Sequence, residues 1–133
     1  NRNMLLIGTA AAHAISLGFD SLTYGAHAGD HAIYPDCRLE FVEAMREALA
    51  LCDYEPIELS APFVDMDKGD IAILGGELGV PYHLTWTCYN GRVLSCGECG
   101  ACQERIEAFA KAYAADGKTT DPLVYEEPQQ SDG

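Results

Sequence analysis

A chain of 133 residues, 48% hydrophobic and 22% charged, is one domain's worth of ordinary globular sequence, which excludes disorder over most of its length. A formal charge of −13 excludes unaided binding to the phosphate backbone of a nucleic acid. No run reaches the roughly 18 apolar residues of a membrane helix, and the opening lacks the basic start of a secretory signal. The expected location is the cytoplasm.

Residues 3–17 lack a helix breaker apart from Gly8 and read as a buried helix ending at Gly18, a position suited to a left-handed cap. Residues 20–25 read as a short strand that runs into a loop over 26–36. A helix is expected over 37–52, where Phe41, Val42, Met45, Ala48, Leu49 and Cys52 recur at three- and four-residue steps. Asp36 is the expected N-cap, Glu40 and Glu43 favour the early turns, and Cys52 reads as a small apolar filler.

Residues 56–64, bounded by prolines, read as a second strand. A helix then starts at Asp67, is weakened by Gly75 and Gly76, and closes at Gly79. Residues 82–87 read as extended. The last helix covers 100–115, with Ile106, Phe109, Ala110 and Tyr113 expected on its buried face and Gly117 as its stop. Residues 1–117 then form the folded portion, and 118–133 an acidic, mobile tail. Helices alternating with short strands indicate an α/β class with a partial parallel sheet, its first strands on sequence outside these residues.

Four of the six cysteines crowd together as Cys88-x7-Cys96-x2-Cys99-x2-Cys102, with Gly91, Gly97 and Gly100 inside the run. Cysteines two residues apart on a glycine-bearing turn aim their sulfurs at one point. Four thiolates around a divalent ion make a closed, structural site, and Arg92 and Arg105 are placed to offset its negative charge. Zinc is the favoured ion. An iron–sulfur cluster is the rival, because Cys96, Cys99 and Cys102 match three members of the ferredoxin run, but no fourth cysteine follows. Two disulfides, or reduced core thiols, are the plainer alternative, and His83 is a possible substitute ligand.

Three segments in order bring in a family. Arg2-Asn3 opens a helix, Tyr34-Pro35-Asp36-Cys37-Arg38 precedes the next, and Thr87-Cys88-Tyr89-Asn90-Gly91 leads into the cysteine run. Over residues 2–115 the chain resembles the C-terminal portion of the QueC family of 7-cyano-7-deazaguanine synthases, relatives of the PP-loop ATP pyrophosphatases. The resemblance implies an adenine-nucleotide α-hydrolase-like, Rossmann-like α/β fold with a tetrahedral zinc knuckle. It implies the ATP-dependent conversion of 7-carboxy-7-deazaguanine and ammonia into the nitrile, with magnesium accompanying ATP, in a homodimer. The family's Ser-Gly-Gly-x-Asp-Ser nucleotide loop is not in these 133 residues, so a missing N-terminal half or a separate chain is expected to supply it. Alone, this chain is expected to be inactive.

Within that frame Arg2 and Asn3, at a helix start, would bind phosphate or the substrate carboxylate. Asp36 suits the amidine-type edge of a purine-like base, Arg38 its carboxylate, and Tyr34 a stacking platform. His27 and His31 suit proton shuttling, or with Asp30 a second metal; a plain solvated loop is the alternative. Lys68 would steady a leaving phosphate, and Tyr89 and Asn90 would present polar groups to the substrate. Two other functions fit the same features: a non-enzymatic, zinc-stabilised adaptor, or another PP-loop amidotransferase or sulfur-transfer enzyme with Cys37 as the thiol to probe.

Overall fold

The computed structural model describes residues 2–90 and 93–126. It divides into two compact units, Asn1–Asp67 and Lys68–Gly133. Among the described residues no helix is long and apolar enough to cross a membrane.

The first unit begins with helix α1, Arg2–Ser16, which buries Ile7, Ala11 and Ala14. These recur at steps of four and three, so one stripe of the helix packs and the other is solvated. Met4, Leu5 and Leu6 lie on the exposed side, so the helix expected to be buried is buried along one stripe only. Gly18, at φ +75°, ends it. Phe19 N–H donates to the Ala14 carbonyl and Gly18 N–H to that of Ile15, the paired bonds of a left-handed helix stop.

Strand β1, Ser21–Thr23, pairs in parallel with β2, Glu58–Ser60, and Leu22 faces Leu59 in the register. Parallel strands need a crossover, and here it carries helix α2, Leu39–Leu49. The crossover also includes 3-10 turns at Ala28–Asp30 and Pro35–Cys37. Pro35 presets the second turn, which delays the helix start to Leu39 and puts Arg38 at the cap position without a side-chain bond. The expected cap role of Asp36 on α2 is therefore corrected. Cys52 lies beyond the helix and is exposed, not a filler. Val42 and Leu49 of α2 close over Leu59 and Ile57, with Ile7, Ala11 and Ala14 of α1 completing the core.

The second unit pairs helix α3, Lys68–Glu77, with α4, Gly100–Asp116. Gly75, read as a weak point, is a contact surface. A Cβ there would lie 2.0 Å from the Tyr82 hydroxyl, which crosses the glycine to donate to the Ala72 carbonyl. Gly76 similarly admits the Thr119 side chain. Tyr82–Leu84 is a 3-10 turn, not extended, and sets the Tyr82 ring edge-on to Phe109 at 4.8 Å.

Helix α4 buries Cys102, Arg105, Phe109 and Ala112. Of the expected face only Phe109 is buried, since Ile106 and Tyr113 are exposed. The helix packs through Cys102 and through Arg105, the latter a type that a hydrophobic-period reading assigns to water. Gly117, at φ +68°, ends it as expected. The segment that follows is tied down as far as Glu126, not loose. Asp116 accepts from the Lys118 and Thr119 amides, and Glu126 N–H donates to the Ser95 carbonyl. The rest of the expected tail, 127–133, lies outside the described residues.

Leu59 is 1% exposed at the centre of the first unit. Leu59→Ala should lower unfolding free energy by about 3 kcal/mol, whereas Cys52→Ser should change it by less than about 0.5 kcal/mol, both read by urea denaturation.

Candidate functional site

The sulfur centre is built in the second unit from a loop and the first turn of α4. The ligand atoms of Cys88, Cys96, Cys99 and Cys102 all lie within 4.8 Å of one another. The Sγ atoms of Cys96 and Cys102 are 4.0 Å apart. A disulfide needs about 2.05 Å, so none of the four is bridged. Tetrahedral bonds of about 2.3 Å from sulfur to one ion require edges of about 3.8 Å, which this spacing fits.

Backbone geometry explains how the sequence reaches this arrangement. Gly97, at φ +72°, turns the chain so that the Glu98 and Cys99 amides point at Cys96 Sγ, at 3.4 and 3.3 Å. The Asn90 and Cys96 amides point at Cys88 Sγ, at 3.4 and 3.5 Å. Trp86 donates its indole N–H to the Cys88 carbonyl at 2.7 Å, and Tyr125 packs on the cluster.

The electrostatics are uneven. Amides of Cys96 and Asn90 lower the Cys88 thiol, and those of Tyr89 and Cys102 lower Cys99 to about 6. Burial pushes Cys102 up to about 12. A dication at the centre would supply the positive charge that a buried Cys102 thiolate needs. The donor set therefore fits a closed metal site with no open position, hence a structural one.

Arg105 does not serve this charge. Its Nε and terminal nitrogens grip Asp121 at 2.9–3.1 Å, reach Thr85 Oγ1 at 2.7 Å, and donate to the Tyr82 carbonyl. Its expected role beside the thiolates is corrected, and Arg92 lies outside the described residues. His83 is exposed and is not among the clustered ligands. Tyr89 and Asn90 are exposed beside Cys88. Lys68, in the first turn of α3, pairs with Glu104.

In the first unit the structure brings Asn3 and Asp36 together. Asn3 N–H, in the first turn of α1, donates to Asp36 Oδ2 at 3.2 Å and holds that carboxyl below its usual range. Asp36 thus caps α1 from 33 residues away. The Asn3 side chain donates to the Asp36 carbonyl at 3.4 Å and to Cys37 Sγ at 3.6 Å. Arg2 and Tyr34 are exposed nearby in sequence, and Arg38 Nε donates to the His31 carbonyl at 2.7 Å. His27 Nε2 lies 3.2 Å from Asp30 Oδ2, across the i, i+3 spacing of a 3-10 turn. His27 Nδ1 and His31 Nε2 are buried without a partner among the described residues, and His27, Asp30 and His31 do not form a metal cluster there.

Sequence reasoning missed Tyr24. It follows β1 directly and extends the ladder through its N–H to the Ser60 carbonyl at 2.7 Å. The end of a parallel strand, where α/β folds collect ligands, was the available signal.

The family model for queuosine biosynthesis protein QueC matches residues 1–113. The chain belongs to the QueC family. A 7-cyano-7-deazaguanine synthase of Caldicellulosiruptor bescii is 60% identical over 126 residues, covering 95% of this chain and 55% of that protein. Proteins of the same name from Marinobacter nauticus and Methanoregula boonei are each 55% identical over the same share of the chain. This QueC-family chain spans about half the length of the curated relatives it matches.

One divalent ion per chain should be found by elemental analysis, and Cys102→Ser should abolish its retention through gel filtration. Burial alone would raise the Asp121 carboxyl, but bonds from Arg105, Tyr125 and the Leu123 amide outweigh it and hold it low. A depressed folded-state value gives stability that is complete above the unfolded value, about 3.9, and fades as pH falls through the folded one. Asp121→Asn should therefore cost about 3 kcal/mol at pH 7 and distinctly less near pH 2, in paired denaturation curves.

Proposed function

We propose that this chain is the C-terminal part of an ATP-dependent ligase that converts 7-carboxy-7-deazaguanine and ammonia into 7-cyano-7-deazaguanine. The observation that carries the reading is 60% identity to a synthase of that name across 95% of the chain. The product would enter queuosine, archaeosine or deazapurine biosynthesis in the cytoplasm.

A carboxylate is a poor electrophile, so ATP, with magnesium, activates it by converting one oxygen into a leaving group. Ammonia attacks the activated carbon, the leaving group departs, and loss of a proton gives the amide. A second activation lets the amide oxygen leave, and loss of the remaining N–H protons gives the nitrile. His27, with Asp30 against its ring, is the proposed carrier of these protons. Arg38 holds the substrate carboxylate and Asp36 the amidine-type edge of the base, with Tyr34 stacked on its face. Arg2 and Asn3, at the start of α1, bind an anionic group. Lys68 steadies the leaving phosphate, and Tyr89 and Asn90 contact the substrate.

Zinc is the proposed ion at the four cysteines, since soft thiolates in a single-ion spacing favour it. Its part is structural: it fixes the loop that carries Tyr89 and Asn90. The nucleotide loop is proposed to come from the rest of a longer polypeptide or from a separate chain, and the active assembly to be a homodimer.

The test is turnover by the complete, zinc-loaded protein with ATP, magnesium, ammonia and 7-carboxy-7-deazaguanine, followed by mass spectrometry. Nitrile should form, and Arg38→Ala should lower kcat/KM by about a hundredfold. Folded, metal-loaded protein that makes neither nitrile nor amide would refute the reading.

A further inference from the structure

Asp36 stands in a turn of three residues, Pro35–Cys37, whose own bonds are few. Cys37 N–H donates to the Tyr34 carbonyl at 3.0 Å and Arg38 N–H to that of Pro35 at 3.3 Å. Both flanking residues, Tyr34 and Arg38, are exposed. Recognition of a flat, two-donor base edge requires a carboxylate fixed to within about 0.5 Å and 10–20°. So short a turn needs outside support to reach that.

The support converges on two acceptors. The Tyr24 hydroxyl donates to the Asp36 carbonyl at 2.6 Å and lies 3.7 Å from Cys37 Sγ. The Asn3 side chain reaches the same two atoms, at 3.4 and 3.6 Å. Asn3 belongs to the first turn of a helix, where ends fray. Tyr24 belongs to the end of the parallel ladder and makes the shorter bond.

We propose that Tyr24 is the positioning residue of Asp36: its hydroxyl anchors the Asp36–Cys37 backbone to the end of β1 and so aims the Asp36 carboxylate at the base. The inference rests on the reading of Asp36 as the base-recognising group. Burial, reinforced by Cys37, pushes the Tyr24 hydroxyl well above its ordinary range, so it stays a donor at neutral pH.

The test uses Tyr24→Phe, which removes one oxygen and keeps the ring, in the complete protein. Loss of one such bond should raise KM for 7-carboxy-7-deazaguanine about five- to tenfold and leave KM for ATP within about twofold. In an Asp36→Asn background the same change should add less than about twofold, since Tyr24 acts through Asp36. An acid KM unchanged within about twofold, equal rises in both KM values, or full additivity with Asp36→Asn would each overturn the proposal. A parallel readout needs no turnover. Exchange of the Asn3 amide, which donates to Asp36, should quicken about five- to tenfold in Tyr24→Phe. If wild-type protein makes no nitrile, the functional reading fails by itself. Unchanged Asn3 exchange then overturns the anchoring role as well, and quickened exchange upholds it.

Discussion

Four thiols held within 4.8 Å of one another cannot all ionise unless a cation stands among them. That constraint governs the second unit. Amide donors make Cys88 and Cys99 ready ligands, while burial sets Cys102 against ionisation. Cys102 opens α4, the helix on which α3, the Tyr82 ring and the Arg105 network pack. An ion bound there would make metal affinity and helix docking one free energy, shared between sulfur chemistry and a small apolar core.

The first unit solves a different problem. Its sheet of two parallel strands is small, so the alanine stripe of α1 and the aliphatic face of α2 supply most of the burial. Asp36 is where the parts meet. Its carboxylate satisfies an orphan amide of α1, and its carbonyl receives the strand's tyrosine. A residue so engaged on its backbone is oriented before any ligand arrives.

Much of this was legible in the chain. Steps of three and four located α2, the run without breakers located α1, and Gly18, Gly79 and Gly117 marked the ends of α1, α3 and α4 at positive φ. The cysteine spacing was legible because the contacts that assemble it lie within fifteen residues of chain. Long-range geometry was not legible. Asp36 looked like a cap for the next helix, yet its partner is Asn3, and nothing local distinguishes the two. The inner face of α4 was misassigned because Arg105 is buried with Asp121, against the usual habit of its type. Gly75 read as a flaw because the Tyr82 hydroxyl that occupies its missing side chain comes from a separate turn.

The parallel bridge between Ser95 and Tyr125 brings the approach to the sulfur centre and the segment leaving α4 to one place. With Asp121 bound to Arg105 on the same segment, the strap closes a circuit around the long helix. The bridge and the ion pair are shared contacts, so a lesion that frees the strap also removes support from the knuckle, and the two regions are tied into one opening unit to the extent that these contacts hold.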